Sequence, residues 1–196
     1  MPDLSAARSP PRFRASPILA PLAPAARYIL RGGAPVRAAA EKAAGVGIPV
    51  EACRAMTHES RAALWLGPDE WLLLAPEAQG AELAERLAAA LAGLPHSLVD
   101  VGHRQSGCEL RGPQAATLLA AGCPLDLDAS AFPVGMCTRT VLAKAEVVLW
   151  RTAPEVFRIE VARSFVAYVS EFLAEAERTS TSDQRLGPRS QLETFS

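Results

Sequence analysis

Lysine is almost missing from this chain: Lys42 and Lys144 are the only two among 20 basic residues, and the rest are arginines. Arginine suits interface ion pairs, but a biased genome composition gives the same skew, and the skew is assigned to composition. The formal charge is −1, with no long run of either sign, which excludes a general nucleic-acid binder. No apolar segment approaches the ~20 residues that cross a bilayer, and the amino end lacks a basic start leading into an apolar core, so no secretory signal is expected. Cysteine is scarce. Cys53, Cys108, Cys123 and Cys137 include no close pair, which fits a cytosolic (cytoplasmic) protein with small buried thiols and not a disulfide framework. Arg8, Arg12 and Arg14 against a single acid within Met1–Ala26 give a faint transit-peptide look. Six prolines in that stretch oppose the amphipathic helix such a peptide needs, and a flexible arm is the reading adopted.

What is present is a duplicated plan. At 196 residues the chain holds one sizeable domain or two half-domains, burying roughly 70% of its unfolded surface. Leu30-Arg31-Gly32 recurs as Leu110-Arg111-Gly112, each ending a short strand and leading through proline into a small alanine-rich helix. Pro35 and Gly45 punctuate the first helix; Pro113, Gly122 and Pro124 punctuate the second. A hairpin follows each helix. Ala63–Leu66 and Trp71–Leu74 flank Gly67-Pro-Asp-Glu70; Arg139–Ala143 and Glu146–Arg151 flank a turn near Lys144. A longer helix closes each unit, one carrying Leu83, Leu87, Leu91 and Leu94, the other Phe165, Val169, Phe172 and Ala176 with Ser164 as N-cap. Ser97–Val101 and Gln105–Leu110 read as a further hairpin around Gly102-His-Arg104. Val156–Val161 alternates, with Phe157, Ile159 and Val161 on one face and Arg158 and Glu160 on the other. The sum is an α+β fold of two strand–helix–hairpin–helix units, with antiparallel sheets covered by helices. The expected organisation is a proline-rich arm over 1–26, a domain over 27–178 in two halves (27–96 and 97–178), and a polar disordered tail over 179–196.

Candidate chemistry is thin. His103 sits in a turn five residues from Cys108, and a zinc site needs two further ligands with proper geometry; His58 and His96 form no metal-ligand spacing with a cysteine. Asp126 and Asp128 alternate with leucines after Cys123-Pro124, so the leucines read as anchors and the aspartates as the solvated side, with Asp126 able to hydrogen-bond the turn around Phe132–Gly135. Gly45-Val-Gly47 follows a helix, whereas phosphate binding needs glycines between a strand and a helix start. No Walker sequence occurs. Cys137 has no neighbouring base and reads as a strand cysteine. No catalytic, cofactor-binding or metal residue is assigned.

Five pieces stand in a set order and spacing over about a third of the chain: Leu110-Arg-Gly-Pro113, Gly122-Cys-Pro-Leu-Asp126-Leu127, Phe132-Pro-Val-Gly135, Thr140-Val-Leu-Ala-Lys144-Ala-Glu146 and Ala162-Arg-Ser-Phe165. Together they resemble the gamma subunit of heterotetrameric sarcosine oxidase, a small relative of the folate-binding aminomethyltransferase fold. The resemblance implies a subunit of an oxidase that converts sarcosine to glycine, with hydrogen peroxide formed and the one-carbon unit passed to tetrahydrofolate. It implies alpha, beta and delta partners that hold FAD, FMN, NAD, tetrahydrofolate and zinc, and no cofactor on this chain. Relatives that bind folate commonly carry paired acids beyond the central hairpin turn, where this chain has Glu146 alone; a Lys-Gly-Cys-Tyr signature of an iron–sulfur branch is missing. Loss of the ligand site follows, leaving a packing role. The other readings are a small stand-alone folate-binding enzyme and a free-standing binding or regulatory module. For docking, the sequence points to Phe132–Met136 and to the arm around Ser16–Leu19.

Overall fold

The computed structural model describes residues 13–186, with side chains as far as residue 180. One sheet runs, in spatial order, β1 (Leu19–Pro21), β7 (Gln105–Arg111), β10 (Val156–Ala162), β9 (Ala145–Ala153) and β8 (Cys137–Leu142). The other runs β6 (His96–Asp100), β2 (Ala25–Gly32), β5 (Glu70–Pro76), β4 (Arg61–Gly67) and β3 (Ala55–His58). Every neighbouring pair is antiparallel.

Side-chain alternation decides the layers. In β5, Trp71, Leu73 and Ala75 face one way and Leu72 and Leu74 the other, and all five are buried. A strand buried on both faces needs a layer on each side. Leu72 and Leu74, with Ala62 and Leu64 of β4, meet Cys137, Val148 and Trp150 of the opposite sheet in a core between the sheets. Trp71 and Leu73 pack instead under α1 (Ala34–Ala44) and α2 (Gly80–Leu91), against Val36, Leu83, Leu87 and Leu91. Val147, Leu149, Phe157 and Ile159 do the same under α3 (Ala115–Ala120) and α4 (Val166–Leu186), against Leu118, Val169 and Leu173. The result is helices, sheet, sheet, helices. Among the described residues, no helix is long and apolar enough to cross a membrane.

The repeat read in the sequence is real. Leu30 and Leu110 are both fully buried near the ends of β2 and β7, strands that hold matching places in the two sheets and lead into α1 and α3. Gly45 caps α1 in the left-handed region at φ 65°, as late glycine in a helix predicts. The hairpins β4–β5 and β8–β9 stand where the sequence puts them.

Four readings need correction. The Ser97–Val101 and Gln105–Leu110 strands do not form a hairpin: β6 pairs with β2 (Leu30↔Leu98), while β7 pairs with β1 (Leu19↔Leu110) and β10. Each half therefore lends its leading strand to the other sheet, and the division at 96/97 cuts β6 from the β2 sheet it completes. The arm over 1–26 is strand in its described part, with β1 and the start of β2 inside it; residues 1–12 lie outside the described residues. Pro21 is tolerated because β1 is an edge strand, where a missing N–H costs no ladder bond. The tail over 179–196 begins as helix, since α4 continues to Leu186, and the remainder lies outside the described residues. Finally, Phe132 is no docking residue, being 1% exposed and packed against Phe157 with ring centroids 6.3 Å apart. Leu19 of the arm is likewise buried.

The helix ends differ in smaller ways. The stripe of α2 stops at Leu91, and a 3-10 turn over Arg163–Phe165 opens α4, with Phe165 40% exposed.

Candidate functional site

The polar core of the molecule lies between the sheets. Alternation puts Arg158 and Glu160 on the face of β10 away from Phe157 and Ile159, and that face meets the second sheet instead of water. Glu160 Oε2 accepts from Arg27 Nε of β2 at 2.7 Å, and Oε1 accepts from Arg158 Nε at 2.8 Å. Arg27 and Glu160 side chains are 3% and 1% exposed, Arg158 20%. Both carboxylate oxygens are thus taken by guanidinium donors, which holds the group as a clamp between the halves and leaves it poorly placed to serve as a base. Gly107 makes the room. A Cβ there would sit 2.8 Å from Glu160 Oε1 and 3.1 Å from Arg27 Nη2. Sequence reading missed this pair because its members are 133 residues apart; the one local signal was a glycine inside a strand, which marks close approach of another group.

The pieces that carry the family resemblance are spent on packing. Gly122 admits the Phe172 ring, whose Cζ would lie 2.5 Å from a Cβ, and its carbonyl accepts from Ala143 N–H at 2.8 Å. Leu127 is buried while Asp126 and Asp128 are exposed, as read. Asp126 does not reach the Phe132–Gly135 turn. Its Oδ1 accepts from Asp128 N–H at 2.9 Å, and it is the Asp128 carbonyl that accepts from Phe132 N–H at 2.8 Å. The Asp128 carboxyl is held below the usual carboxylate range, first by the Ser130 hydroxyl and then by the Ser130 N–H. Arg151, 7% exposed, fastens the segment from beneath. Its Nη1 donates to the carbonyls of Phe132 at 2.9 Å and Leu127 at 3.3 Å, and its guanidinium lies 5.0 Å from the Phe157 ring centre. Gly135, at φ 86°, presents its carbonyl to Ala55 N–H at 2.9 Å, and Cys137 N–H donates to the Cys53 carbonyl at 2.9 Å, so the two sheets join at this corner.

The other candidates stay apart. His103 is exposed in a 3-10 turn, and His96 Nδ1 contacts the Leu94 carbonyl at 2.8 Å. Among the described residues, no group of three His, Cys, Asp or Glu is arranged to hold a metal ion. The four thiols are free. Burial pushes the Cys137 thiol up to about 12 and the Cys108 thiol well above its ordinary value. Glu146 is 76% exposed and 3.7 Å from Arg139 Nε, so its ion-pair partner is Arg139 and not Lys144. Gly47 backs onto Met56, whose Cε would lie 2.6 Å from a Cβ. A cleft of about 820 Å³ opens between the halves, with Arg27, Ser106 and Gly107 among its lining residues. That volume is within the range of small-molecule sites, yet its deepest charge, Arg27, is already committed to Glu160.

Comparison with known proteins agrees with this architecture. The sarcosine oxidase, gamma subunit family model matches residues 31–179. The sarcosine oxidase subunit gamma of Corynebacterium sp. (strain P-1) is 41% identical over 140 residues, 71% of this chain and 68% of that one. Its counterpart from Arthrobacter sp. is 39% identical over 145 residues, 74% and 70% of the two chains. A chain of the heterotetrameric sarcosine oxidase from Corynebacterium sp. U-96, solved with pyrrole 2-carboxylate, superposes with a TM-score of 0.76 at 36% identity, covering 81% of this chain and 82% of that one. The glycine cleavage system aminomethyltransferase T from Bartonella henselae shares the fold alone, with a TM-score of 0.60 at 13% identity over 79% of this chain and 44% of that one. By its sequence pieces, its duplicated sheets and these relatives, the chain belongs to the sarcosine oxidase gamma subunit family.

Proposed function

We propose that this chain works as the gamma subunit of a cytoplasmic heterotetrameric sarcosine oxidase, as a scaffold with no catalytic centre of its own. Its partners are the alpha, beta and delta subunits. They hold FAD, FMN, NAD, tetrahydrofolate and zinc, and the assembled enzyme oxidises sarcosine to glycine with release of hydrogen peroxide and transfer of the one-carbon unit to tetrahydrofolate. The observation that carries the scaffold reading is the use made of the residues on which the family resemblance rests. Gly122, Leu127, Phe132 and Gly135 serve turns and packing, and Asp126 serves a backbone N–H. The one acid of the central hairpin, Glu146, stands in solvent beside an arginine. A fold can outlast its site.

The test is a ligand titration of the purified chain without partners. The expected result is no flavin absorbance and no saturable heat on adding tetrahydrofolate or a nicotinamide dinucleotide. Saturable tetrahydrofolate binding abolished by Glu146→Gln would make the chain a folate enzyme in its own right. A flavin spectrum that survives gel filtration would place a redox centre on it.

A further inference from the structure

The turn Gly102–Arg104 carries β6 of one sheet into β7 of the other, and it stands between two clefts. The larger, about 820 Å³, has walls that include Leu22, Pro24 and Ala84. The smaller, about 270 Å³, is lined in part by Ile29, Leu66 and the exposed ring of Phe165. Gln105 borders both, and its Oε1 is buried with no hydrogen-bond partner among the described residues. A buried amide oxygen without a donor loses its hydration without replacement, so such an atom marks a place where a donor is to be supplied.

Most described arginines face an acid; Arg14, Arg61 and Arg151 do not, Arg61 and Arg151 donating to carbonyl and amide oxygens instead, and two more without an acid flank this turn. Arg31, Arg37, Arg54, Arg86, Arg111 and Arg139 each pair with an acid. Arg104 and Arg163 pair with none among the described residues; Arg163 Nη1 donates only to the His103 carbonyl, at 3.0 Å. His103 adds a third nitrogen-bearing side chain at the rim. The acids nearby are otherwise engaged or peripheral. Asp100 Oδ1 accepts from Gly102 N–H at 2.8 Å, Glu146 faces Arg139, and Glu77 is exposed on the far wall of the larger cleft.

We propose that this end of the sandwich receives an extended, acidic segment of a partner subunit. Its carboxylates meet Arg104 and Arg163, its apolar side chains enter the two clefts, and one of its main-chain N–H groups donates to Gln105 Oε1. Arginines without an acidic partner, beside clefts walled in part by apolar side chains, select a segment of that chemistry by charge at the rim and by desolvation within. The proposal rests on the subunit reading above and names the face through which the chain docks.

Two measurements on the full chain and on the co-expressed complex decide it. Amide hydrogen exchange over residues 101–107 slows by about tenfold or more on assembly, because the turn passes from solvent into an interface. Arg104→Glu lowers affinity for the partner subunits by about tenfold, with the loss growing as salt is reduced, as for a like-charge contact at a rim. Lys42→Glu, on the exposed side of α1, leaves affinity unchanged, and the Arg104→Glu chain keeps its thermal midpoint. If the chain joins the complex with 101–107 exchanging as fast as before and Arg104→Glu binding normally, this face is wrong and the subunit reading stands. If the chain joins no complex, both fall. If a small dicarboxylic acid alone protects 101–107 in the free chain, the cleft takes a small molecule, and the partner segment is overturned.

Discussion

Glu160 ties the two sheets together by charge. Its carboxylate lies between Arg27 and Arg158, and only one of the three comes from the other sheet. Glu160→Gln leaves Arg27 buried without a full counter-charge, and breaking such a pair from one side costs about 3–5 kcal/mol. Urea denaturation of the purified variant measures it; a loss under 1 kcal/mol removes the clamp from the account. Gly107→Ala acts on the same spot by crowding, at about 1–3 kcal/mol, because its Cβ would meet both charged side chains. Cys137 gives a pH signature. An ordinary thiol ionises near 9.0, while burial pushes this one up to about 12. Above the lower value the unfolded chain sheds a proton that the folded chain keeps, so this group's contribution is intact below 9.0 and is lost as pH rises towards 12. Cys137→Ala therefore flattens the alkaline fall of stability in a denaturation series; an unchanged slope contradicts the burial argument. At this scale the sequence showed which leucines anchor the Cys123–Asp128 segment. It hid Glu160, whose environment is made by a strand from the other end of the chain.

At the level of elements, local signals are legible in the sequence and exchanged ones are not. Proline and glycine punctuation marked α1, and the two tight hairpins carry their turns in consecutive residues. Alternation in Val156–Val161 was correct in period, but what covers the polar face cannot be read from the strand itself. The swap of β1 and β6 between sheets escaped because pairing is non-local: nothing within Ser97–Asp100 distinguishes β2 from β7 as its neighbour. Phe132 looked like an interface anchor because a lone aromatic in a loop carries no period to show which way it faces. The swap has a consequence for truncation. Removing residues through Ala23 strips β1 from the edge of β7, along with buried Phe13 and Leu19. Leu19→Ala alone costs about 2–5 kcal/mol, and circular dichroism melting of the truncated chain shows a lowered midpoint before any effect on assembly is considered. A truncated chain as stable as the full one contradicts the role given to β1.

For the whole molecule, two sheets face each other across a core that is apolar around Leu72, Leu74 and Val148, with the Arg27–Glu160 ion pair set directly beside it, since Val148 is the register partner of Glu160 and Leu74 that of Arg27. The helices cover the outer faces, and the crossover turn with Arg104 and Arg163 lies outside that cover, as do the edge strands β1, β8, β3 and β6. Membership of the gamma subunit family agrees with a chain that acts by being assembled. Light scattering of the gel-filtered complex, from co-expression of this chain with the proposed alpha, beta and delta subunits, tests that most directly. A single species whose mass requires one copy of each of the four chains is expected. A complex of the other three that forms and turns over sarcosine at the full rate while this chain elutes alone as a monomer contradicts it.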